Sequence, residues 1–205
     1  MPSTGFNGAA AQAPSACIGI LALQGAYAAH QRMVERMGAT SRLVRSPDEL
    51  EGIDALILPG GESSALLHFL QQDGFLPALA EFVRSRPCLG TCAGVILLAE
   101  AVVPQQACLG ALHIEVQRNA YGRQRDSSIR KGASSLPGGE LEMVFIRAPR
   151  IVKWGTEVEV LASLEGDPVL VRQGHLLGCT FHPELSDDTR IHQLLLDLCA
   201  QPKLG

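Results

Sequence analysis

Apolar residues follow two regimes along the chain. In the first half, short solid apolar runs alternate with segments whose apolar residues recur every three or four positions. "CIGILAL" (17–23) is a continuous run bounded by Gly25, the mark of a strand buried on both faces. "AYAAHQRMVERMG" follows with helical spacing and stops at Gly38, a residue suited to closing a helix. "SRLV" reads as a second strand. "DALILPGGESS" reads as a third, ending in Pro-Gly-Gly before a helix that opens near Ser63 or Ser64. "LPALAEFVRS" is another helix, and "PCLGT" a strand leading into the apolar helical run after Cys92. Strands alternating with helices at this spacing predict parallel βαβ units. The expected fold class is α/β, a doubly wound, mostly parallel sheet with flanking helices.

The second half reads as successive strands, some antiparallel: "GALHIEV", "LEMVFIRA", "TEVEVLASLE", "PVLVRQ" and "HLLGCTF". Between the first two, "RNAYGRQRDSSIRKGASSLPGGE" reads as a loop. A last helix, "DDTRIHQLLLDLCA", places Ile191, Leu194, Leu195 and Leu198 on one face. No internal repeat or interdomain linker interrupts this order, so residues 17–205 are expected to form one domain. Residues 1–16 are small and polar and contain no Lys or Arg, which predicts a disordered leader rather than a secretion or transit signal.

Composition narrows the classes. The chain has 205 residues, 46% of them hydrophobic and 19% charged, with a net charge of −4. Such a balance excludes a strong field for recruiting nucleic acid or an anionic membrane. No apolar run is long enough to span a bilayer. Six cysteines stand in apolar contexts without a CxxC pair, as expected of free thiols in a reducing, cytoplasmic setting.

One of those thiols is placed differently. In "GTCAG", Cys92 sits between Gly90 and Gly94 where a strand turns into a helix. Such a turn projects a side chain beyond the carboxyl edge of the sheet, where open α/β folds bind ligands. The flanking glycines allow unusual backbone angles and close approach of a substrate. The helix amino end supplies free N–H groups and partial positive charge, which favour a thiolate. The pattern is the thiol counterpart of a nucleophile elbow.

A thiol nucleophile needs a base and an orienting group. "CTFHPEL" offers His182 and Glu184, which on an extended segment stiffened by Pro183 project to one side. "LPGGESS" places two glycines at a strand end, a backbone nest suited to an anion. The N–H groups of Gly61 and Ala93 would make a two-donor oxyanion hole, each donor contributing roughly 3–4 kcal/mol of transition-state stabilisation. The remaining histidines read as ordinary residues of helices (His30, His68, His192) or strands (His113, His175). A zinc site from His175, Cys179 and His182 is disfavoured by its spacing, so no metal or other cofactor is expected.

"GTCAG" and "FHPE" in this order resemble the class I (triad) glutamine amidotransferases. With "GILALQGAYAAH", "LILPGGES", "VQRNAYGRQ", "VFIRAP" and "GCTFHPEL", the span from Ile18 to Leu198 resembles the glutaminase subunits of pyridoxal 5′-phosphate synthases. The resemblance implies Cys92 as nucleophile, His182 as general acid/base and Glu184 as its orienting partner. It implies that glutamine is held by Gly61, Glu62, Ser63, Arg118, Ile146 and Arg147. The residues agree: an arginine such as Arg118 suits the α-carboxylate, and a buried Glu62 could face the α-ammonium. Arg147 could act by side chain or backbone, whereas Arg125, Arg130 and Lys131 read as a solvated basic loop. The resemblance further implies a (β/α)8 synthase partner in a large hetero-oligomer, with hydrolysis weak until the partner docks. Gln24 and Gly25, at the active-site edge, are candidates for that docking or activation surface. Competing readings are a glutaminase for another synthase, an inactive scaffold subunit, or another thiol hydrolase.

Overall fold

The computed structural model describes residues 16–72, 74–118, 120 and 127–201. Strand β1 (Cys17–Leu21) leads to helix α1 (Tyr27–Arg36) and strand β2 (Thr40–Val44), and then to β3 (Ala55–Leu58). Helices α2 (Ser63–Leu70) and α3 (Phe75–Ser85) connect β3 to β4 (Cys88–Thr91), which turns into the short helix α4 (Ala93–Leu98). The second half holds β5 (Ala99–Val103), β6 (Leu112–Gln117), β7 (Ser127–Ser134), β8 (Leu141–Ile146), β9 (Arg150–Trp154), β10 (Glu159–Leu164), β11 (Asp167–Gln173) and β12 (Leu176–Cys179). Helix α5 (Arg190–Cys199) closes the chain.

The main sheet runs β2-β1-β3-β4-β12-β11-β10-β7-β8. Its first five strands are parallel, and β11, β10, β7 and β8 continue it antiparallel. A smaller sheet, β5-β6-β9, stands apart from it. Alternation along the central strands divides the core into two layers. Ile18, Ile20, Ala55, Ile57 and Leu89 pack with Val34 of α1 and with Ile191, Leu195 and Leu198 of α5. Leu21, Leu56, Leu58 and Cys88 pack with Leu66, Leu79 and Val95 of the other helices and with Leu112, Ile114 and Val116 of the small sheet. Each fully buried Leu or Ile contributes about 1.5–3 kcal/mol, so both faces hold the central strands in place. The doubly wound arrangement expected from the pattern is present.

Three expectations change. Residues 127–134, read as loop, form β7, paired with β8 from Ser127↔Ile146 to Gly132↔Leu141. Its sequence, "SSIRKGAS", carries no apolar alternation, because its covered face holds Ser128, Arg130, Gly132 and Ser134 while Ile129 faces out, and the strand is set by its partner's backbone. Arg130, expected to be solvated, pairs with Glu165, and Lys131 lies on the same strand. The apolar run after Cys92 is helical only to Leu98 and then becomes β5, and β9 carries no clear pattern. Tyr121 to Asp126, with Arg123 and Arg125, lie outside the described residues, as does the expected leader save Ala16.

Candidate active site

The thiol sits where expected but for a different backbone reason. Cys92 itself has φ 49° and ψ −102°, a conformation that L residues rarely adopt. Its N–H donates to Cys179 O of the adjacent β12 at 2.8 Å, which fixes the turn. Gly90 and Gly94 do not have left-handed angles; they are needed for packing. A Cβ on Gly94 would lie 1.9 Å from Leu58 O, and one on Gly90 would lie 2.6 Å from the Gly94 carbonyl carbon. The glycines let α4 press against β3 and β4, and the strain falls on the nucleophile position.

His182 and Glu184 meet, though not along an extended strand. Strand β12 ends at Cys179; the His182 N–H donates to Val144 O of β8 at 2.8 Å, and Pro183–Leu185 form a turn of 3-10 helix. That turn brings Glu184 Oε1 to 2.7 Å from His182 Nδ1. Both residues are buried. Burial alone would lower the His182 pKa. Hydrogen bonds to Cys92 and Glu184, with the charges behind them, outweigh it and push the pKa up to about 10. Burial would raise Glu184, but the imidazoles of His30 and His182 keep its carboxyl below the usual range. The imidazole is thus well placed to hold a proton that a thiol gives up.

Behind the carboxylate stand residues that looked ordinary in the sequence. His30 of α1 and His192 of α5 are almost fully buried, with His30 Nδ1 2.9 Å from His192 Nε2. His30 Nε2 lies 3.2 Å from Thr91 Oγ1 and 3.3 Å from Glu184 Oε2. The one local signal for them is a histidine on the buried side of each helix, beside Met33 and Val34 and beside Ile191.

In front lies a cavity of about 150 Å³. Gly61, Glu62, Ser63, Cys92, Ala93, Arg118, Ile146, Arg147 and His182 line it, with Ile96 and Pro149 in addition. Every expected catalytic and substrate residue except the orienting Glu184, which sits behind His182, therefore meets at one hollow. Glu62 is exposed rather than buried, and it caps α2, which opens at Ser63 as expected. The Ser64 and Ala65 N–H groups donate to its carboxylate and hold its pKa below the usual range. Arg118 Nη2 donates to Ser64 Oγ at 3.1 Å and lies 3.7 Å from Glu62 Oε1. Arg147 adopts φ 44°, which turns the chain at the pocket rim.

Gln24 and Gly25 do not line the cavity; they lie directly behind its glycine loop. Gln24 Oε1 accepts from the Glu62 N–H at 3.1 Å. Gly25 has φ +86°, and a Cβ there would lie 1.8 Å from Gly60 O. A second hollow, of about 180 Å³, opens at the amino ends of the parallel strands beside Asp54, Pro87 and His175. It is remote from Cys92, and His175 Nε2 there bonds Val83 O. Among the described residues no cluster of His, Cys, Asp and Glu is arranged to hold a metal ion, and no helix is long and apolar enough to cross a membrane.

Comparison with known proteins gives the same picture. Residues 20–201 match the SNO glutamine amidotransferase family. The chain is 55% identical over 189 residues to pyridoxal 5′-phosphate synthase subunit PdxT of Koribacter versatilis, covering 92% of this chain and 98% of the relative. It is 49% identical to the protein of the same name from Solibacter usitatus, covering 87% and 97%. A crystal structure described as a glutamine amidotransferase superposes with a TM-score of 0.84 at 42% identity, over 90% of this chain and 99% of that one. The chain belongs to the SNO glutamine amidotransferase family.

Proposed function

We propose that this protein hydrolyses L-glutamine to L-glutamate and ammonia at Cys92, as the glutaminase subunit of a pyridoxal 5′-phosphate synthase. The observation that carries the reading is the convergence of Cys92, His182 and Arg118 at one pocket, with Glu184 bonded to His182 from behind. In this reading the Cys92 sulfur attacks the side-chain amide carbon of glutamine. The N–H groups of Gly61 and Ala93 receive the oxyanion. His182 passes the thiol proton to the departing nitrogen, and ammonia leaves a glutamyl thioester. Water deprotonated by His182 then hydrolyses the thioester, while Glu184 keeps the ring oriented. Arg118 takes the α-carboxylate, and Glu62, Ser63, Ile146 and Arg147 complete the amino-acid site.

Ammonia is largely protonated in neutral water and then is not a nucleophile, so it is best delivered under cover. The names of the relatives support a synthase partner as its acceptor. We take that partner to be a (β/α)8 barrel in a hetero-oligomer, the setting cytoplasmic, and residues 17–205 one domain. A synthase resting on Gln24 and Gly25 would press on the backbone at 60–62 and so couple docking to the oxyanion site.

The test is glutamine hydrolysis by the purified chain, alone and with the synthase subunit of the same organism. Stimulation by the synthase is expected. Cys92→Ala should abolish turnover, and His182→Asn should nearly do so, since an unassisted thiol is mostly protonated at neutral pH. Asparagine, which holds its amide short of the sulfur, should fail as a substrate. Turnover near wild type in either variant would remove the proposed triad. Gln24→Ala should lower stimulation more than basal turnover, and equal stimulation would remove the docking role.

A further inference from the structure

Glu184 uses only one of its oxygens on His182. The other, Oε2, is buried and makes no hydrogen bond of good geometry, yet His30 Nε2 stands 3.3 Å from it. A buried carboxylate oxygen left without a donor is costly, so the state of His30 bears on the whole line. Two neutral tautomer arrangements fit the 2.9 Å contact between His30 Nδ1 and His192 Nε2. If His30 donated, its Nε2 would turn a lone pair toward the carboxylate, and His192 Nδ1 would be a buried N–H with no acceptor. If His192 Nε2–H donates, His30 carries its proton on Nε2, aimed at Thr91 Oγ1 and Glu184 Oε2. His192 Nδ1, which has no partner, is then a bare lone pair, cheaper to bury than an orphaned donor. The second arrangement satisfies the groups better.

We infer that His30 is a positioning residue for glutamine hydrolysis, its tautomer set by His192 and its Nε2–H holding the rear oxygen of Glu184. This rests on the triad reading above and extends that line through two helices, α1 and α5, whose histidines are 162 residues apart. Both rings are pushed down by burial, His192 to about 3, so they stay neutral in the working range. The groups acting on Glu184 are His182 on its own turn, His30 of α1, His192 of α5 and the thiol of Cys179, while Thr91 of β4 meets His30 Nε2 and the Cys92 thiol meets His182. Arg36 acts on His192 from α1. Loss of the His30 donor leaves the ionised carboxylate less stabilised, so its protonation should move to higher pH.

Two measurements test this on the full chain. Nitrogen-15 NMR of histidine-labelled protein should show His30 and His192 both protonated at Nε2; a proton on His30 Nδ1 would overturn the assignment. Glutamine hydrolysis, assayed with the synthase subunit across pH, should show His30→Leu with kcat reduced about 10–100-fold, the usual cost of losing an outer partner. KM should change little, and the acid limb should move up by about one pH unit. His30→Gln, whose amide can still donate near that oxygen, should recover much of both. His192→Leu should shift the limb in the same direction by less, and His192→Gln should restore it. Unchanged kcat and acid limb in His30→Leu would overturn the inference. If that variant does not fold, superimposable profiles of wild type and His192→Leu would do so. Activity in Cys92→Ala would instead remove the triad reading, and the tautomers would stand or fall separately.

Discussion

At Gly60 the absence of one carbon decides whether nucleophile and base can meet. A Cβ there would lie 2.4 Å from His182 Cε1, 3.1 Å from its Nδ1 and 3.2 Å from Cys92 Cβ. Gly60 is not among the residues with positive φ, so alanine would not strain its backbone; the nearest conflicts are with the two reacting side chains. The ring can give way by rotating, which limits the stability cost to about 1–3 kcal/mol. Rotation carries the imidazole away from the sulfur, and a misplacement of about 1 Å can cost 100-fold in rate. Gly60→Ala should therefore fold, bind glutamine with a similar KM and lose about 100-fold in kcat. Steady-state kinetics beside a melting curve check this. A kcat within threefold of wild type would mean that the observed approach of Cys92 and His182 is not the working geometry.

The turn from β4 into α4 poses the same question for backbone against backbone. A Cβ on Gly94 would lie 1.9 Å from Leu58 O, at the carboxyl end of β3, and neither strand nor helix can rotate out of the way. Gly94→Ala should cost about 3 kcal/mol, at the upper end for overpacking, and should also shift the Ala93 N–H. Denaturant unfolding should show a lower midpoint, and a midpoint equal to wild type would mean that the helix seat is soft. These contacts also explain which parts of the fold were legible in sequence. Strands β1, β3 and β4 are solid apolar runs between turn residues, because both their faces are covered by helices and the local pattern alone records that. Strand β7 is not legible because the covered face of Ser127–Ser134 carries polar and small residues and the segment owes its conformation to β8, a relation between segments that no local pattern carries. The same holds at the site. Cys92, His182 and Glu184 were legible from short motifs, and the pocket residues from the family resemblance. The seat of Glu184 was not, since His30 and His192 become partners only when α1 and α5 pack on the same face of the sheet.

Across the whole molecule the buried titratable groups set a pH window for stability. His30 and His192 are lowered from 6.5 by burial, His192 to about 3, so the folded state resists charging them. The stability they contribute is complete above pH 6.5 and is lost as pH falls below it, for His192 down to about 3. Glu184 and Asp188 are held below their usual carboxyl values and act in the same direction at lower pH. His182 has the opposite sign. Raised from 6.5 to about 10, it contributes stability that is complete below 6.5 and lost as pH climbs through 10. Burial raises the thiols of Cys88, Cys179 and Cys199, the last to about 11, which deepens the loss above pH 9. Each group changes the unfolding free energy by up to about 1.4 kcal/mol per pH unit within its window. The melting temperature should therefore peak near pH 6.5 and fall on both sides. His192→Leu isolates one term. By removing a ring that must stay neutral, it should flatten the acid limb by as much as one proton's slope between pH 6 and 4, leaving the alkaline limb unchanged. Calorimetry of both proteins across pH 4–10 measures this. Parallel acid limbs would show that His192 takes up its proton equally well in the folded and unfolded chain, and would remove the reason for treating the pair with His30 as a neutral, fixed element behind the site.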